Sequence, residues 1–378
     1  MEWKIPLFKS YWEEDDIESV SRIIRRGTYW AAGPEIQEFE QKIADFVGTT
    51  YAVSFNSGTS ALHAALLSMG ISKGDEIVVP SFTFIATGNA PLFVNATPVF
   101  ADIEEDTYGL DIDDVQQKIT KKTKALMPIH YGGCSCKNIQ ALRDLADDHH
   151  LLLIEDAAQS LGAKIKNQKV GTFGDASMFS LCQDKMITTG EGGLIVTDSR
   201  DYYEQLKLIR SHGRAETSDY FTSSELMDYI NLGYNFRMPT MIAALGLSQI
   251  NKIQKTIRMR RSHAQYYTKK LKSVQNISLP SVSDDLYHVY QKFTIQVKNN
   301  TRDNLREHLA TQGIFSKAYF GLPIHLTKFY RDCFGYREND LPTTEAMAHQ
   351  VLSLPMFPSL TNQEIDYIAD SIQSFNFE

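Results

Sequence analysis

Apolar residues along the chain follow two spacings, one typical of helices and one typical of buried strands. A helical period runs through residues 35–48, 60–70 and 138–149. Short apolar runs typical of strands lie between and after them, namely TYAVSF (50–55), DEIVVPSF (75–82), KALMPIH (124–130), LLLIED (151–156), ASMFSL (176–181) and GGLIVTD (192–198). This alternation over residues 14–212 predicts an α/β fold, with a mostly parallel sheet sandwiched by helices.

The pattern changes in the last third of the chain. Residues 240–275 are helix-rich, and HVYQKFTIQVKN (288–299), a helix over 301–313 and GIFSKAYF (313–320) predict a small α+β unit. A helical stretch over 363–376 closes the chain. We therefore expect a large α/β domain over residues 1–250 and a small C-terminal α+β domain over 251–378, and a length of 378 residues suits two domains.

Composition and charge narrow the class of protein. Hydrophobic residues make up 43% of the chain and charged residues 22%, which is typical of a soluble globular protein. A net charge of −8 argues against a nucleic-acid partner, which would require clustered basic charge. No apolar run reaches the ~18 residues that cross a bilayer, and the N-terminus turns acidic where a signal peptide would be apolar. We expect a cytoplasmic protein with no membrane contact.

The four cysteines are too few and too scattered for a disulfide framework. Cys134 and Cys136 could form half of a metal site, but no second close pair exists. The sequence predicts reduced thiols and no metal.

The residues that directly follow the strands are the first candidates for a site, because parallel sheets bind ligands beyond the carboxyl ends of their strands. After TYAVSF comes Asn56-Ser57-Gly58-Thr59-Ser60, which leads into a helix. Its backbone N–H groups and hydroxyls could hold a phosphate at the positive end of the helix dipole. The same residues could form an ordinary N-cap.

The next two strand ends carry aromatic, acidic and amide side chains. Phe82-Thr83-Phe84 follows one strand, where an aromatic ring is either part of the core or open to stack on a flat cofactor. Asp156 ends the run LLLIED, and a buried carboxylate there is costly unless a cation pairs with it. Asp156 could pair with a protonated ring nitrogen and Gln159 with a neighbouring oxygen, or the acid could cap the following helix.

Ser180 and Lys185 follow the strand ASMFSL. An amine in an apolar, partly cationic site has a lowered pKa and can form a Schiff base, whereas a solvated loop lysine would do neither. The run Gly190-Glu191-Gly192-Gly193 lacks the spacing of a dinucleotide fingerprint and predicts a tight turn.

These features are weak one by one, but together they match the needs of one cofactor. A phosphate cradle, an aromatic plate, an acid for a pyridinium nitrogen and a Schiff-base lysine are the set that pyridoxal 5′-phosphate (PLP) and its amino form (PMP) require. We therefore expect PLP at the strand ends.

Over nearly its whole length the chain resembles the DegT-type nucleotide-sugar aminotransferases, which are fold-type I PLP enzymes. The resemblance rests on motifs that occur in the family's order, namely YWAAGPEIQEFEQKIADFVG (29–48), NSGTSALHAAL (56–66), PSFTFIAT (80–87), PIHYGG (128–133), EDAAQSLGA (155–163), GTFGDASMFSLCQDKMITTGEGGLIVTD (171–198), IRSHGR (209–214), GYNFRMP (233–239), PIHL (323–326) and VLSLPMFPSLT (351–361).

The resemblance implies a role for each cofactor residue. Lys185 would join the cofactor covalently and act as the catalytic residue, Asp156 would pair with the ring nitrogen, and Gln159 would contact the ring hydroxyl. Further contacts would come from the stacking ring of Phe84, from Gly58, Thr59 and Ser180 at the phosphate, and from Asn235 at the phosphate of a neighbouring subunit. The resemblance thus implies a homodimer with shared active sites.

The substrates follow from the same resemblance. They would be L-glutamate and a nucleoside-diphosphate keto-sugar, with His130, His212, Arg214, Lys317 and His325 as candidate substrate residues. The run TTGEGG (188–193) is similar to members that aminate carbon 4, which favours a 4-keto-6-deoxy sugar such as the precursor of perosamine, used in surface polysaccharide.

Several alternatives stay open. They are amination at carbon 3, dehydration by a PLP enzyme of the same fold, and a regulatory protein that keeps the fold without turnover. Lysine at position 185 favours transfer, because the dehydrating branch carries histidine there. Two departures from the family, at residues 180–184 and at Lys317-Ala318, concern the substrate pocket.

Overall fold

A computed structural model describes residues 3–215, 224, 226–280 and 283–377. In this part of the chain the helices are α1 (Glu14–Arg26), α2 (Pro34–Val47), α3 (Gly58–Ser68), α4 (Ile85–Phe93), α5 (Ile112–Lys118), α6 (Ile139–Asp148), α7 (Arg200–Arg210), α8 (Thr240–Asn251), α9 (Ile253–Leu271), α10 (Arg302–Thr311), α11 (Lys328–Phe334), α12 (Pro342–Gln350) and α13 (Asn362–Gln373). The strands are β1 (Tyr51–Phe55), β2 (Glu76–Pro80), β3 (Thr97–Ala101), β4 (Thr123–Leu126), β5 (Leu152–Asp156), β6 (Lys164–Ile165), β7 (Gln168–Lys169), β8 (Ala176–Ser180), β9 (Gly193–Thr197), β10 (Ile277–Ser278), β11 (Leu286–Tyr287), β12 (Phe293–Val297) and β13 (Val351–Leu354).

Seven strands form the main sheet, in the order β1-β9-β8-β5-β4-β2-β3. The pairs β8–β5, β5–β4, β4–β2 and β2–β3 are parallel, which confirms the predicted mostly parallel sheet. β9 is antiparallel to both of its neighbours, β1 and β8. Only residues 181–192 join β8 to β9, so the chain folds straight back instead of crossing over through a helix.

Helices cover both faces of the sheet, as the alternating pattern predicts. On one face α3 contributes Ala61, Leu62, Ala64, Ala65 and Leu66, all fully buried, to a core shared with α4 and α7. On the other face α2, α8 and the start of α9 pack against β1, β8 and β9. The hydrophobic residues of α3 extend beyond a single stripe, which is typical of a helix that is buried on most of its sides.

A smaller sheet, β10-β12-β13, lies in the C-terminal part with its own core, to which α9, α10 and α13 contribute. The helix α9 contributes to two cores. Ile253 and Ile257 belong to the core of the main sheet, whereas Tyr267 and Leu271 belong to that of the smaller one. The predicted boundary near residue 250 falls in the last turn of α8, just before α9, and remains a prediction.

The topology brings the candidate residues to one edge of the main sheet. β1, β8, β5, β4 and β2 point the same way, so the segments after them meet at their carboxyl ends.

Among the described residues, no helix is long and apolar enough to cross a membrane, and no group of three or more metal-ligating side chains occurs. Cys134 and Cys136 are free and buried, and burial raises the pKa of each thiol to about 12.

Glu155, beside Asp156 on β5, is fully buried and fixes the segments around the sheet edge. It accepts five hydrogen bonds, whose donors are His130 Nε2 (2.9 Å), Gly171 N (2.9 Å), Phe173 N (2.8 Å), Gly174 N (2.8 Å) and Ser177 Oγ (2.8 Å). Burial opposes the charge of Glu155, but the hydrogen bond from His130 and those from the backbone N–H groups outweigh it and hold its pKa below the ordinary value.

Glu155→Gln is expected to lower the free energy of unfolding by about 3 kcal/mol at neutral pH, because it leaves a buried network with too many donors. A carboxylate with a lowered folded-state pKa stabilises the fold above its ordinary value of 4.5 and loses this contribution as the pH falls through the folded-state pKa. Urea unfolding between about pH 3 and 6, followed by circular dichroism, should show a shallower acid dependence for Glu155→Gln. The control Glu18→Gln alters an exposed acid and should unfold like the wild type. Equal acid slopes in wild type and Glu155→Gln would contradict this assignment.

Candidate active site

A concave pocket opens at the carboxyl edge of the main sheet. Its walls come from the segments after β1, β2, β5 and β8 and from residues of the C-terminal part. Eight residues expected at a cofactor or substrate site line it together, namely Gly58, Thr59, Phe84, Asp156, Gln159, Ser180, Lys185 and Lys317. Residues that are far apart in sequence are thus neighbours in one site.

The N-terminus of α3 forms one end of the pocket. Ser57 caps this helix by accepting a hydrogen bond from Ser60 N at 3.0 Å, so the ordinary N-cap is present. The N–H groups of Gly58 and Thr59 belong to the first turn and have no acceptor within the helix. Ser180 Oγ lies close by, 3.5 Å from where a Cβ on Gly58 would stand. The cap and an anion cradle therefore coexist.

The cradle depends on Gly193, for which the sequence predicts only a place in a turn. Gly193 pairs with Phe55 on one side and with Ser180 on the other, so β9 links the two halves of the cradle. A Cβ on Gly193 would lie 2.3 Å from the carbonyl oxygen of Ser57. Only glycine allows β9 to lie this close to the start of α3.

The two phenylalanines after β2 have different environments. Phe82 is fully buried against Tyr108 and Tyr131 and belongs to the core. Phe84, at the start of α4, is 60% exposed and lines the pocket. Both environments expected of an aromatic residue at a strand end thus occur here, two residues apart, and Phe84 is the ring open to a flat ligand.

Asp156 ends β5 as a buried carboxylate that faces the pocket. Thr87 Oγ1 donates to Oδ2 at 2.6 Å and Ala158 N donates to Oδ1 at 3.2 Å. Burial raises the pKa of Asp156 in spite of these two donors and the charge of Lys185. In the described part of the chain no side chain forms an ion pair with it, so a cationic ligand atom would stabilise its charged form.

Gln159 is buried, and its amide orientation is fixed by two donors. Oε1 accepts from Gly132 N at 2.8 Å and from Lys292 Nζ at 2.9 Å. The Nε2 group has no hydrogen-bond acceptor among the residues that the structure describes, so it is available as a donor to a ligand in the pocket. Gly132 belongs to the motif PIHYGG (128–133), whereas Lys292 carries no signal in the sequence.

Lys185 lies on the turn after β8, with its side chain only 15% exposed. Its Nζ is 3.1 Å from Asp184 Oδ1, and its backbone N–H donates to the carbonyl of Cys182 at 3.0 Å. Burial opposes the charge of Asp184, but the charges of Lys185 and Lys292 outweigh it and lower the pKa of this carboxyl. Asp184, which no sequence motif singles out, sits between two amines.

The chemistry of this donor set fits PLP. The pocket offers an acid in need of a cation, an amine able to form a Schiff base, an amide donor, an open aromatic ring and an anion cradle. Each matches one group of the cofactor, which are the ring nitrogen, the aldehyde, the ring hydroxyl, the ring face and the phosphate.

Three further candidates lie outside the lining of this pocket. Asn235 is exposed, and its backbone carbonyl accepts from Asn56 Nδ2 at 3.4 Å, close to the start of α3. His212 is exposed with a φ of 62°, and Arg214 is buried with Nη2 3.1 Å from Ser211 Oγ. Their roles toward a partner subunit or substrate remain predictions.

The other two candidate histidines are held within the protein. His130 is fully buried, with Nδ1 accepting from Cys136 N at 3.0 Å and Nε2 donating to Glu155. His325 is also fully buried, 2.7 Å from Ser81 Oγ and 3.2 Å from Glu345 Oε1. Neither lines the pocket, so the geometry favours a structural role, and their predicted contact with substrate is untested. Lys317 does line the pocket, with Nζ over the ring of Tyr319.

Comparison with known proteins agrees with this geometry. The chain is 36% identical over 372 residues to the GDP-perosamine synthase of Escherichia coli O157:H7, and the aligned region covers 98% of each chain. It is 35% identical over 342 residues to the UDP-N-acetyl-3-dehydro-alpha-D-glucosamine 3-aminotransferase of Acidithiobacillus ferrooxidans, and the aligned region covers 90% of this chain and 88% of the relative.

Solved structures show the same fold. NtdA from Bacillus subtilis, with bound cofactor PMP, superposes with a TM-score of 0.85 at 28% identity, covering 95% of this chain and 81% of that one. Residues 10–373 match the sequence family described as DegT/DnrJ/EryC1/StrS aminotransferases. The chain therefore belongs to the DegT/DnrJ/EryC1/StrS aminotransferase family.

Proposed function

We propose that this protein transfers an amino group from L-glutamate to carbon 4 of a nucleotide-linked 4-keto-6-deoxy sugar, with PLP as its cofactor. The observation that carries the proposal is the pocket that holds the Lys185 amine, the buried Asp156 carboxylate and the start of α3 together. A family of aminotransferases and a neighbour with bound PMP support the cofactor.

When bound, PLP carries the amino group and withdraws electrons from the carbon that loses or gains a proton. The protein's residues supply the rest. Asp156, held by Thr87, pairs with the ring nitrogen and keeps it protonated, which relieves the cost of a buried carboxylate without a cation. Gly58, Thr59 and Ser180 bind the phosphate, and Phe84 covers the ring.

Lys185 has two roles in this proposal. Its Nζ would hold the cofactor covalently in the absence of substrate, and as a free amine it would move the proton at the reacting carbon. Asp184, 3.1 Å away, keeps the Nζ at the pocket wall. The same side chain repeats both steps in reverse when the keto-sugar receives the amino group.

Two observations favour carbon 4 of the sugar. The run TTGEGG (188–193) is similar to family members that aminate this carbon, and a GDP-perosamine synthase is 36% identical over nearly the whole chain. Amination at carbon 3 is the second candidate, because a relative at 35% identity is named a 3-aminotransferase. The identity of the nucleotide and the stereochemistry of the sugar are determined by the same panel of keto-sugars that tests the carbon.

We also infer a homodimer with shared sites. Large apolar side chains are exposed at the end of α4, at Phe93, and in the segment 229–232, at Tyr229, Ile230 and Leu232. Such exposure is unusual for a monomer and typical of a surface that pairs with another chain. Asn235, exposed in the same segment as Leu232, is the residue that we expect to reach the phosphate bound by the partner subunit.

Lys185→Ala is expected to abolish turnover and the visible absorbance band of the PLP-loaded protein, because it removes the amine that we propose to join the cofactor. Borohydride followed by mass spectrometry should add a cofactor mass to a peptide containing Lys185 in the wild type and to no peptide in the variant. Normal transfer by Lys185→Ala would show that another group is the nucleophile.

The wild type, incubated with glutamate and a panel of nucleotide-linked 3-keto and 4-keto sugars, is expected to aminate a 4-keto-6-deoxy sugar. Mass spectrometry detects the exchange of oxygen for an amine, and NMR of the product gives the carbon. Stoichiometric formation of 2-oxoglutarate separates transfer from dehydration. Amination of 3-keto sugars alone would replace carbon 4 by carbon 3.

Mixing two inactive variants tests the shared site. Asn235→Ala alone should lose most activity, and so should Lys185→Ala. After subunit exchange with Lys185→Ala, mixed dimers contain one site with both residues intact, so activity should recover to about a quarter of the wild-type value in a twofold dimer. Each variant exchanged with itself is the control. No recovery from a mixture proven to contain mixed dimers would place Asn235 in its own subunit's site or outside any site.

A further inference from the structure

Lys292 is a second amine at the pocket, and its position suggests a role for which the sequence carries no signal. It lies at the start of the small-sheet segment, one residue before β12, and only 6% of it is exposed. It lines the same pocket as Lys185, although 107 residues separate the two in sequence. We propose that Lys292 is a positioning residue that fixes the Gln159 amide so that Nε2 donates to an anionic oxygen of the bound cofactor.

The hydrogen bonds of Gln159 fix the orientation of its side-chain amide. Its Oε1 receives both Lys292 Nζ and Gly132 N. Turning the amide over would bring Nε2, itself a donor, against these two donors, and a buried donor without an acceptor is costly. The amide therefore has one favourable orientation, and in that orientation Nε2 is directed away from Lys292.

The contacts around Lys292 fix the position of its amine. Its Nζ also donates to Gln291 Oε1 at 2.7 Å, and Gln291 Nε2 donates to the carbonyl of Asp184 at 2.8 Å. The rings of Tyr319 and Tyr131 lie 4.7 and 5.8 Å from the same Nζ. Two amide oxygens and two ring faces thus hold the amine in one place, which is what a positioning role requires.

The charge of the buried Lys292 amine would be stabilised by an anionic oxygen bound at Gln159 Nε2. Burial and the charge of Lys185 push the pKa of Lys292 well below its ordinary value, and Asp184 offsets this only in part. An anionic oxygen at Gln159 Nε2 would favour the charged form of Lys292 across the amide, because hydrogen bonds in a chain polarise one another. The ionised ring hydroxyl of PLP has this chemistry, so the inference rests on the proposed cofactor.

The test is a double-mutant cycle on PLP affinity. Apoprotein of the wild type, Lys292→Met, Gln159→Ala and the double variant is titrated with PLP, and Kd is read from the absorbance change. Lys292→Met should raise Kd about tenfold, in line with a lost hydrogen bond to a charged group. In the Gln159→Ala background the same substitution should change Kd by less than about twofold, because the positioned amide is already gone.

Two more variants separate positioning from packing. Lys292→Gln keeps a donor at this position and should recover most of the affinity, whereas loss of packing alone would not be rescued. Gln291→Ala leaves the Lys292 amine in place but removes its second acceptor, and it should raise Kd about threefold, so the inference stays testable if Lys292→Met fails to fold. Lys328→Met alters an exposed lysine far from the pocket lining and should leave Kd unchanged.

The outcomes distinguish this inference from the proposed function. Wild-type protein that binds no PLP would overturn the cofactor itself. PLP binding that Lys292→Met and Gln291→Ala leave unchanged, or that Lys292→Met weakens equally with and without Gln159, would overturn the positioning role while the cofactor stands. Urea unfolding of each variant checks that the changes in Kd occur in folded protein.

Discussion

The structure depends above all on a carboxylate placed where water does not reach it. Asp156 ends a strand that is buried on both faces, with one hydroxyl and one backbone N–H as donors. A charge in such a place is unfavourable unless a cation meets it, and the described protein side chains offer none in direct contact. A ligand with positive charge at this point would therefore complete the pocket, and the other groups around it match the rest of such a ligand.

Much of this site follows from short-range signals in the sequence. Residues directly after apolar runs lie at the edge of a parallel sheet, and for this reason the sequence alone assigns Gly58, Phe84, Asp156 and Lys185 to one site. Six of the seven strands of the main sheet are equally local, because each lies in a short apolar run, whereas β3 is not among the predicted elements. Phe82 and Phe84 show the limit, since the pattern cannot say which of two nearby rings is buried.

The features that the sequence does not predict depend on contacts between distant segments. Lys292 reaches Gln159 across 133 residues, and no local pattern in the sequence marks Lys292 as its partner. The need for glycine at position 193 comes from the backbone of Ser57, which approaches it from another strand. The antiparallel direction of β9 is also not predicted, since apolar runs carry no sign of direction. Buried histidines such as His130 resemble ligand contacts in the sequence because chemistry alone does not reveal burial.

The central position of β9 between β1 and β8 has a consequence for how a phosphate group is received. Through this one strand, the first turn of α3 and the hydroxyl of Ser180 are parts of a single hydrogen-bonded frame. Their spacing is set when the polypeptide folds and does not depend on a ligand. A phosphate that binds here, as we propose, would meet donors that need no rearrangement, so little conformational entropy would be lost on binding.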